Sequence, residues 1–445
     1  MSTTDEHSKY QVEASHYEDG GHPDLEKTTS NEITIQHAPE GTASASKALF
    51  MLLKAFIGTG VIFLPASFKN GGLALSIALM VILGLICLVA FHLLVIAQSA
   101  VGGSYGDIAY RLYGRYCRYV VLFFLCVSQI GFVSSYLMFV SQNIHLVAEA
   151  LSGCNPPFES KYWIWIVLAI VIPICWVRKV ARLSYAAVIA DIFILFGLIC
   201  ILYYTGKEIN ENGPGPNIII YNQKDFALMI GTATFSFEGI GMVISIVEGM
   251  KEPRKFPMVL NIGMAIVIGV MVLIGTLGYV AYGENISASV VANLKTEPLS
   301  VTVQLLYAIA MILSSPFMLW PPLTIIERGI FGTKRSGQMK LKYKWGKNFV
   351  RALVACVPAA ISFGVGSDNL DKFVSLVGIV ACLPLCFIFP GMFHWKVTKN
   401  WWLRIVDAIL IMWGSGILVY TLYVNISSWL EPSTSAPAVC HSLYE

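Results

Sequence analysis

Two glycine-bracketed stretches carry residues able to hold a small zwitterion without a charged side chain. The first reads Leu-Leu-Lys-Ala-Phe-Ile-Gly-Thr-Gly-Val-Ile-Phe-Leu-Pro (residues 52–65), with Gly58 and Gly60 flanking Thr59 in an apolar run. The second reads Gly-Thr-Ala-Thr-Phe-Ser-Phe-Glu-Gly-Ile-Gly (residues 231–241), with Gly239 and Gly241 beside Glu238. A helix interrupted at such a point offers free N–H groups suited to a carboxylate and free carbonyls suited to an ammonium. Together the breaks would grip both charged ends of an amino acid with backbone alone. A single Gly-x-Gly reads more simply as close helix packing. Two, in corresponding positions of the first and sixth apolar segments, point to an inverted five-plus-five repeat with its site at the breaks.

Ionisable groups inside apolar runs add the second chemistry, proton binding. Glu238 sits at the second break, where desolvation favours a carboxyl that takes up and releases protons. A cap on the broken helix, or an ion pair with Lys54, explains it equally well. Asp191 lies amid Ile189, Ala190, Ile192 and Phe193 and is the second proton candidate. Lys54 either stands in for a cation between helices or snorkels to the membrane surface. His92 and His145 read as hydrogen-bonded packing. Glu149, Glu248, Glu327 and Asp407 fall near span ends, where headgroups or water would meet them.

These residues need a membrane around them. Of 445 residues, 56% are apolar and 13% charged, against about 45–50% and 25% for soluble domains. A secreted domain, a cytosolic enzyme and a disordered chain are excluded. Crossing a hydrocarbon layer of about 30 Å takes about 20 helical residues. Eleven runs qualify, at 46–67, 72–98, 118–150, 162–177, 183–205, 225–247, 257–282, 298–326, 348–366, 372–393 and 401–428. The expected fold is an all-α polytopic membrane protein. Residues 1–45 carry a net charge of −7, lack apolar periodicity and read as a disordered cytosolic tail, and 429–445 read as a short luminal or extracellular tail.

Loops after even-numbered spans hold 20 basic residues and those on the opposite side hold 6. That asymmetry predicts a cytosolic N-terminus and a luminal or extracellular C-terminus. The two glycosylation tripeptides, at Asn285 and Asn425, both fall on the non-cytosolic side, Asn425 the poorer because it lies close to the membrane. Cys154 and Cys440 are the only cysteines expected outside the bilayer there, and sequence does not decide whether they pair. No HExxH, His box, Cys/His spacing or paired catalytic motif is present, so no metal, cofactor, enzymatic activity or nucleic-acid partner is expected.

The first motif, continued by Phe68-Lys69-Asn70-Gly71-Gly72-Leu73, resembles the first-helix signature of the amino acid/auxin permease family. The second, with Met250-Lys251-Glu252-Pro253 and Lys255-Phe256-Pro257, resembles its sixth-helix signature. The likeness runs over about residues 46–428 and is nearest to fungal vacuolar amino acid exporters and animal proton-coupled amino acid transporters. It implies a LeuT-like fold and proton-coupled movement of neutral amino acids across a vacuolar or lysosomal membrane, a plasma membrane being the alternative. It further implies that Gly58, Thr59, Gly60, Phe235, Ser236, Phe237 and Gly239 hold substrate and that an acid is kept at Asp191, which joins Glu238 and Lys54 as the groups expected to couple protons. One departure stands out: animal members carry a histidine just before the Leu-Leu-Lys, and Met51 occupies that place. A membrane sensor using the same pocket with little net transport is the competing function. The oligomeric state is not legible.

Overall fold

In hydrocarbon every backbone polar group must be satisfied within the protein, which leaves helices or closed barrels. This chain takes the first route. The computed structural model describes residues 43–178, 180–332 and 341–430. Among these there is no strand, only an isolated bridge between Ala43 and Met250. Both terminal tails lie outside the described residues. Ten helical segments are long and apolar enough to cross a bilayer, and an eleventh, Ser160–Cys175, is shorter, as the sequence predicts.

The first span is broken into α1 (Ala45–Phe56), a 3-10 turn (Thr59–Phe63) and α2 (Leu64–Gly71). Next come α3 (Leu73–Val101), the short α4 (Tyr105–Tyr113), α5 (Arg115–Leu151), α6 (Trp163–Cys175) and α7 (Val180–Asn212). The sixth span is broken into α8 (Phe226–Ser236) and α9 (Ile240–Gly249), followed by α10 (Phe256–Tyr282). The eighth bends at Leu319 between α11 (Pro298–Met318) and α12 (Trp320–Phe331), and α13 (Leu341–Val365) is the ninth. The tenth combines α14 (Leu370–Val377), two π-helical stretches and α15 (Phe389–Val397). Last is α16 (Trp401–Leu430).

α4 was not foreseen from hydropathy, being too short and polar for a span. A capping box between Ser104 and Asp107 starts it. The π stretches, Gly378–Cys382 and Pro384–Ile388, have a proline cause. In π register the Phe389 N–H reaches back five residues to Pro384 O. The next position in that register is Pro390, which has no N–H. Its carbonyl counterpart, Leu385 O, accepts from Tyr105 Oη at 2.8 Å instead.

The broken first span lies along α10, whose small residues allow the approach. A side chain at Gly275 would strike the Phe68 ring, and one at Gly278 would meet Pro65 at 2.6 Å. At the start of the span, Ala43 N–H donates to Gly249 O at 3.0 Å and Lys251 N–H donates to Ala43 O at 2.9 Å. The entry to α1 and the exit of α9 are therefore stitched together on one membrane face.

Two span-end acids are not solvated as expected. Asp407 is fully buried, with both carboxylate oxygens 2.9 Å from His394 Nδ1. Glu327 on α12 pairs with Lys347 at 2.9 Å and Arg351 at 2.8 Å on α13. Arg351 also donates to Cys175 O at 3.0 Å, tying in α6. Asn425 is withdrawn as a glycan acceptor. Its side chain is fully buried, Nδ2 donates to Lys372 O at 3.2 Å, and Oδ1 accepts from Trp429 at 3.1 Å. Asn285 is exposed on a 3-10 turn. Cys154 is disulfide-bonded; Cys440 lies outside the described residues.

Candidate substrate site

The two breaks face each other. α1 ends when Ile57 leaves helical geometry, and Gly58 follows at φ −121°, ψ −142°. α8 ends at Phe237, and Gly239 at φ −158°, ψ 11° starts α9. Ser236 joins them: its Oγ donates to Thr232 O within α8 at 2.9 Å and to Gly60 O across the break at 3.3 Å. Gly60 is small for that reason, since a Cβ there would stand 3.0 Å from Ser236 Cα. Gly239 receives the Phe56 ring of α1, which a Cβ would meet at 2.7 Å. Gly58 differs: apart from its own chain neighbours, no heavy atom lies within 4 Å of where its Cβ would be.

Helix ends leave the first N–H groups of the turn beginning at Thr59 and of α9, and the last carbonyls of α1 and α8, short of partners in their own helices, except that Leu53 O, Ala233 O and Phe235 O accept from the Ile57, Phe237 and Glu238 N–H groups. A zwitterion beside Gly58 can meet both sets. An aromatic wall closes one side. Phe132 of α5 and Phe235 of α8 have centroids 4.1 Å apart, Phe63 lies 6.2 Å from Phe235 and 6.1 Å from Phe139, and Phe139 lies 6.3 Å from Tyr307. Offset and edge-on pairs at these separations make a rigid apolar boundary.

Tyr136, which sequence reasoning missed, touches the site directly. Thr59 Oγ1 donates to Tyr136 Oη at 2.7 Å. Two hydroxyls in one bond leave one O–H proton unused, hence one donor for a ligand. The signal was the polar run Ser134-Ser135-Tyr136 in an otherwise apolar span. Phe237 is not brought in: its ring packs toward α3 beside Gly84, fully buried.

The ionisable residues separate into two environments. Lys54 of α1 pairs with Asp191 of α7 at 2.5 Å, each side chain about 30% exposed. The alternative pairing of Lys54 with Glu238 is thereby replaced. Glu238 is half-buried at the second break, and among the described residues no hydrogen bond or ion pair holds its carboxylate. Both carboxylates lie within electrostatic reach of Tyr136. His92 and His145 are local: His92 Nε2 lies 2.7 Å from Asn261 Oδ1, and His145 lies 3.4 Å from Glu149 one turn on.

The family model described as transmembrane amino acid transporter protein matches residues 41–427, from the stitched entry of α1 to the end of α16. The chain belongs to this family. Within it, vacuolar amino acid transporter 3 of Schizosaccharomyces pombe is 39% identical over 386 residues, covering 86% of this chain and 58% of that protein. Vacuolar amino acid transporter 4 of Saccharomyces cerevisiae is 36% identical over 426 residues, covering 88% and 60%. The chain thus spans about three-fifths of the length of these relatives. Among solved structures, MhsT in complex with L-phenylalanine aligns with a TM-score of 0.53 at 14% identity, covering 87% of this chain and 99% of that one. Mhp1 in a closed conformation aligns with a TM-score of 0.56 at 14% identity, covering 90% and 95%. At that identity the likeness is one of fold: this family member has the LeuT-like architecture that the family resemblance implied.

Proposed function

We propose that the chain is a proton-coupled secondary transporter that moves neutral amino acids across the vacuolar membrane, from lumen to cytosol. The observation that carries the reading is the meeting of two interrupted helices, joined by Ser236 Oγ and Gly60 O, with Gly58 uncrowded beside them. Substrate carboxylate would meet the N–H groups starting at Thr59 and at α9, with the Tyr136 hydroxyl as a further donor. The ammonium would meet the carbonyls ending α1 and α8. The aromatic wall would take an apolar side chain, which favours neutral substrates.

Asp191 and Glu238 divide the proton chemistry. A proton arriving on Asp191 removes the charge that binds Lys54, and so unties α1 from α7. Because α1 is one lip of the site, protonation and opening become one event. Glu238, with no partner of its own, is free to exchange a proton with the substrate-filled space. The names of the vacuolar relatives support the membrane assigned, and the 20-to-6 asymmetry of basic residues supports an N-terminus in the cytosol.

Reconstituted protein tests this. Radiolabelled neutral amino acids should exchange in counterflow, faster under an imposed pH gradient, and Asp191→Asn or Glu238→Gln should flatten that dependence. Binding without counterflow would mark a sensor; counterflow indifferent to the gradient would remove the coupling.

A further inference from the structure

Two elbows, 280 residues apart in sequence, meet on the face that carries the basic loops. One joins α4 to α5 and the other joins α15 to α16. Tyr113 fastens them: its Oη donates to Met392 O at 2.6 Å, and the Lys396 ammonium stands 5.8 Å from its ring centroid. Arg111 and Arg115 flank Tyr113, Lys399 follows Lys396, and Arg404 Nε donates to Thr398 O at 3.1 Å between them. Arg111 donates to Val101 O, and Arg115 lies over the Tyr116 ring. Among the described residues none of these five cations has an acidic partner. Their surroundings do pair: Arg118 has Asp107 at 3.6 Å, and the acid of the second elbow, Asp407, is enclosed with His394. On the same face Lys255 has Glu252, and Lys347 and Arg351 have Glu327.

We infer that this double elbow binds the headgroup of a polyphosphorylated inositol lipid in the adjoining leaflet. Trp401 and Trp402, mutually tilted with centroids 4.1 Å apart and mostly exposed, fix the depth, since tryptophans settle at the headgroup level. The patch therefore opens beside phosphates rather than into bulk water. Five unneutralised cations on two elbows held together by Tyr113 exceed what a phosphodiester with a single charge can match. A headgroup with two or more phosphomonoesters supplies both the charge and the oxygen acceptors. Three of the five are arginines, whose forked donors suit phosphate. The two elbows come together only through tertiary contact, so the site reports the folded state of the α15–α16 joint.

The experiment is native mass spectrometry of the full chain in uncharged detergent, titrated with short-chain phosphatidylinositol bisphosphate, phosphatidylserine or phosphatidylcholine. Wild type should retain the bisphosphate lipid at least about tenfold better than phosphatidylserine. Arg115→Gln/Lys399→Gln/Arg404→Gln should lose that preference, while Arg115→Lys/Arg404→Lys should keep most of it. Lys251→Gln/Arg254→Gln/Lys255→Gln, elsewhere on the same face, should leave it unchanged. If the triple elbow variant does not run as a monodisperse protein, Lys399→Gln alone, an exposed side chain without a partner, should still lower retention measurably. Equal retention of phosphatidylserine, or equal loss from the variant elsewhere, would reduce the patch to a general positive face and overturn the inference.

Discussion

Lys54 and Asp191 bind α1 to α7, and their worth can be measured by a double-mutant cycle. At 2.5 Å and an effective dielectric of about 20, Coulomb attraction is roughly 6–7 kcal/mol. Desolvation of two ions in a membrane interior offsets most of it, and side chains about 30% exposed are partly screened. A net coupling of about 1–3 kcal/mol remains. Lys54→Met strands a carboxylate and Asp191→Asn strands an ammonium, so each single change should destabilise by roughly 2–3 kcal/mol. The double change leaves no stranded charge and should cost less than the sum of the two single changes. For a chain of this size the single changes translate into melting-temperature losses of roughly 2–5 °C. Thermal unfolding of purified protein in detergent, followed by tryptophan fluorescence, reads all four corners. Additive effects, with the double variant losing the sum of the singles, would refute the tie between α1 and α7 and with it the proton-release step built on it.

Other expectations follow from the same geometry. Gly58→Val enters open space and should leave folding intact while abolishing substrate binding, whereas Gly239→Val drives into the Phe56 ring and should cost about 1–3 kcal/mol; binding isotherms and melting curves on the two variants separate these outcomes. Tyr136→Phe leaves the buried Thr59 hydroxyl without its partner, which predicts about 1–3 kcal/mol of lost stability together with weaker substrate binding in a scintillation proximity assay. Expression in a glycosylating host should give one shifted band removed by Asn285→Gln, with Asn425→Gln leaving the gel pattern unchanged. The Tyr204 hydroxyl and then the Lys207 ammonium hold Glu297, just before α11, below the usual carboxylate range. A lowered folded-state value gives stability that is present above the unfolded value and fades as pH falls through the folded one. The melting difference between wild type and Glu297→Gln should therefore persist in neutral and mildly acid buffer and vanish in strongly acid buffer.

Much of this was legible before any coordinates. Span positions follow from apolar run length because lipid leaves no other way to satisfy a backbone, and the Gly58–Gly60 and Glu238–Gly241 breaks were visible because Gly-x-Gly recurs in corresponding positions of the first and sixth spans. What escaped were features set by partners distant in sequence. Lys54 could be placed in a span but not given Asp191 as its mate, since the 136 intervening positions carry no record of the pairing. Tyr136 looked like one more aromatic until Thr59 arrived opposite it. Asn425 met the tripeptide rule, yet rotation of α16 turns it inward to Lys372 and Trp429. Phe237 sat inside the motif, but helical geometry points its ring at α3. α4 was hidden because hydropathy windows of membrane width average a nine-residue amphipathic helix away.

The pair of hydrogen bonds between Ala43 and the strand-like stretch at Gly249 and Lys251 acts as a cuff around two half-helices. Neither α1 nor α9 can swing outward alone on that side without tearing it, so they travel as a single shutter. A deletion that stops short of residue 43 spares the shutter, and one that removes it frees each leaf to move by itself.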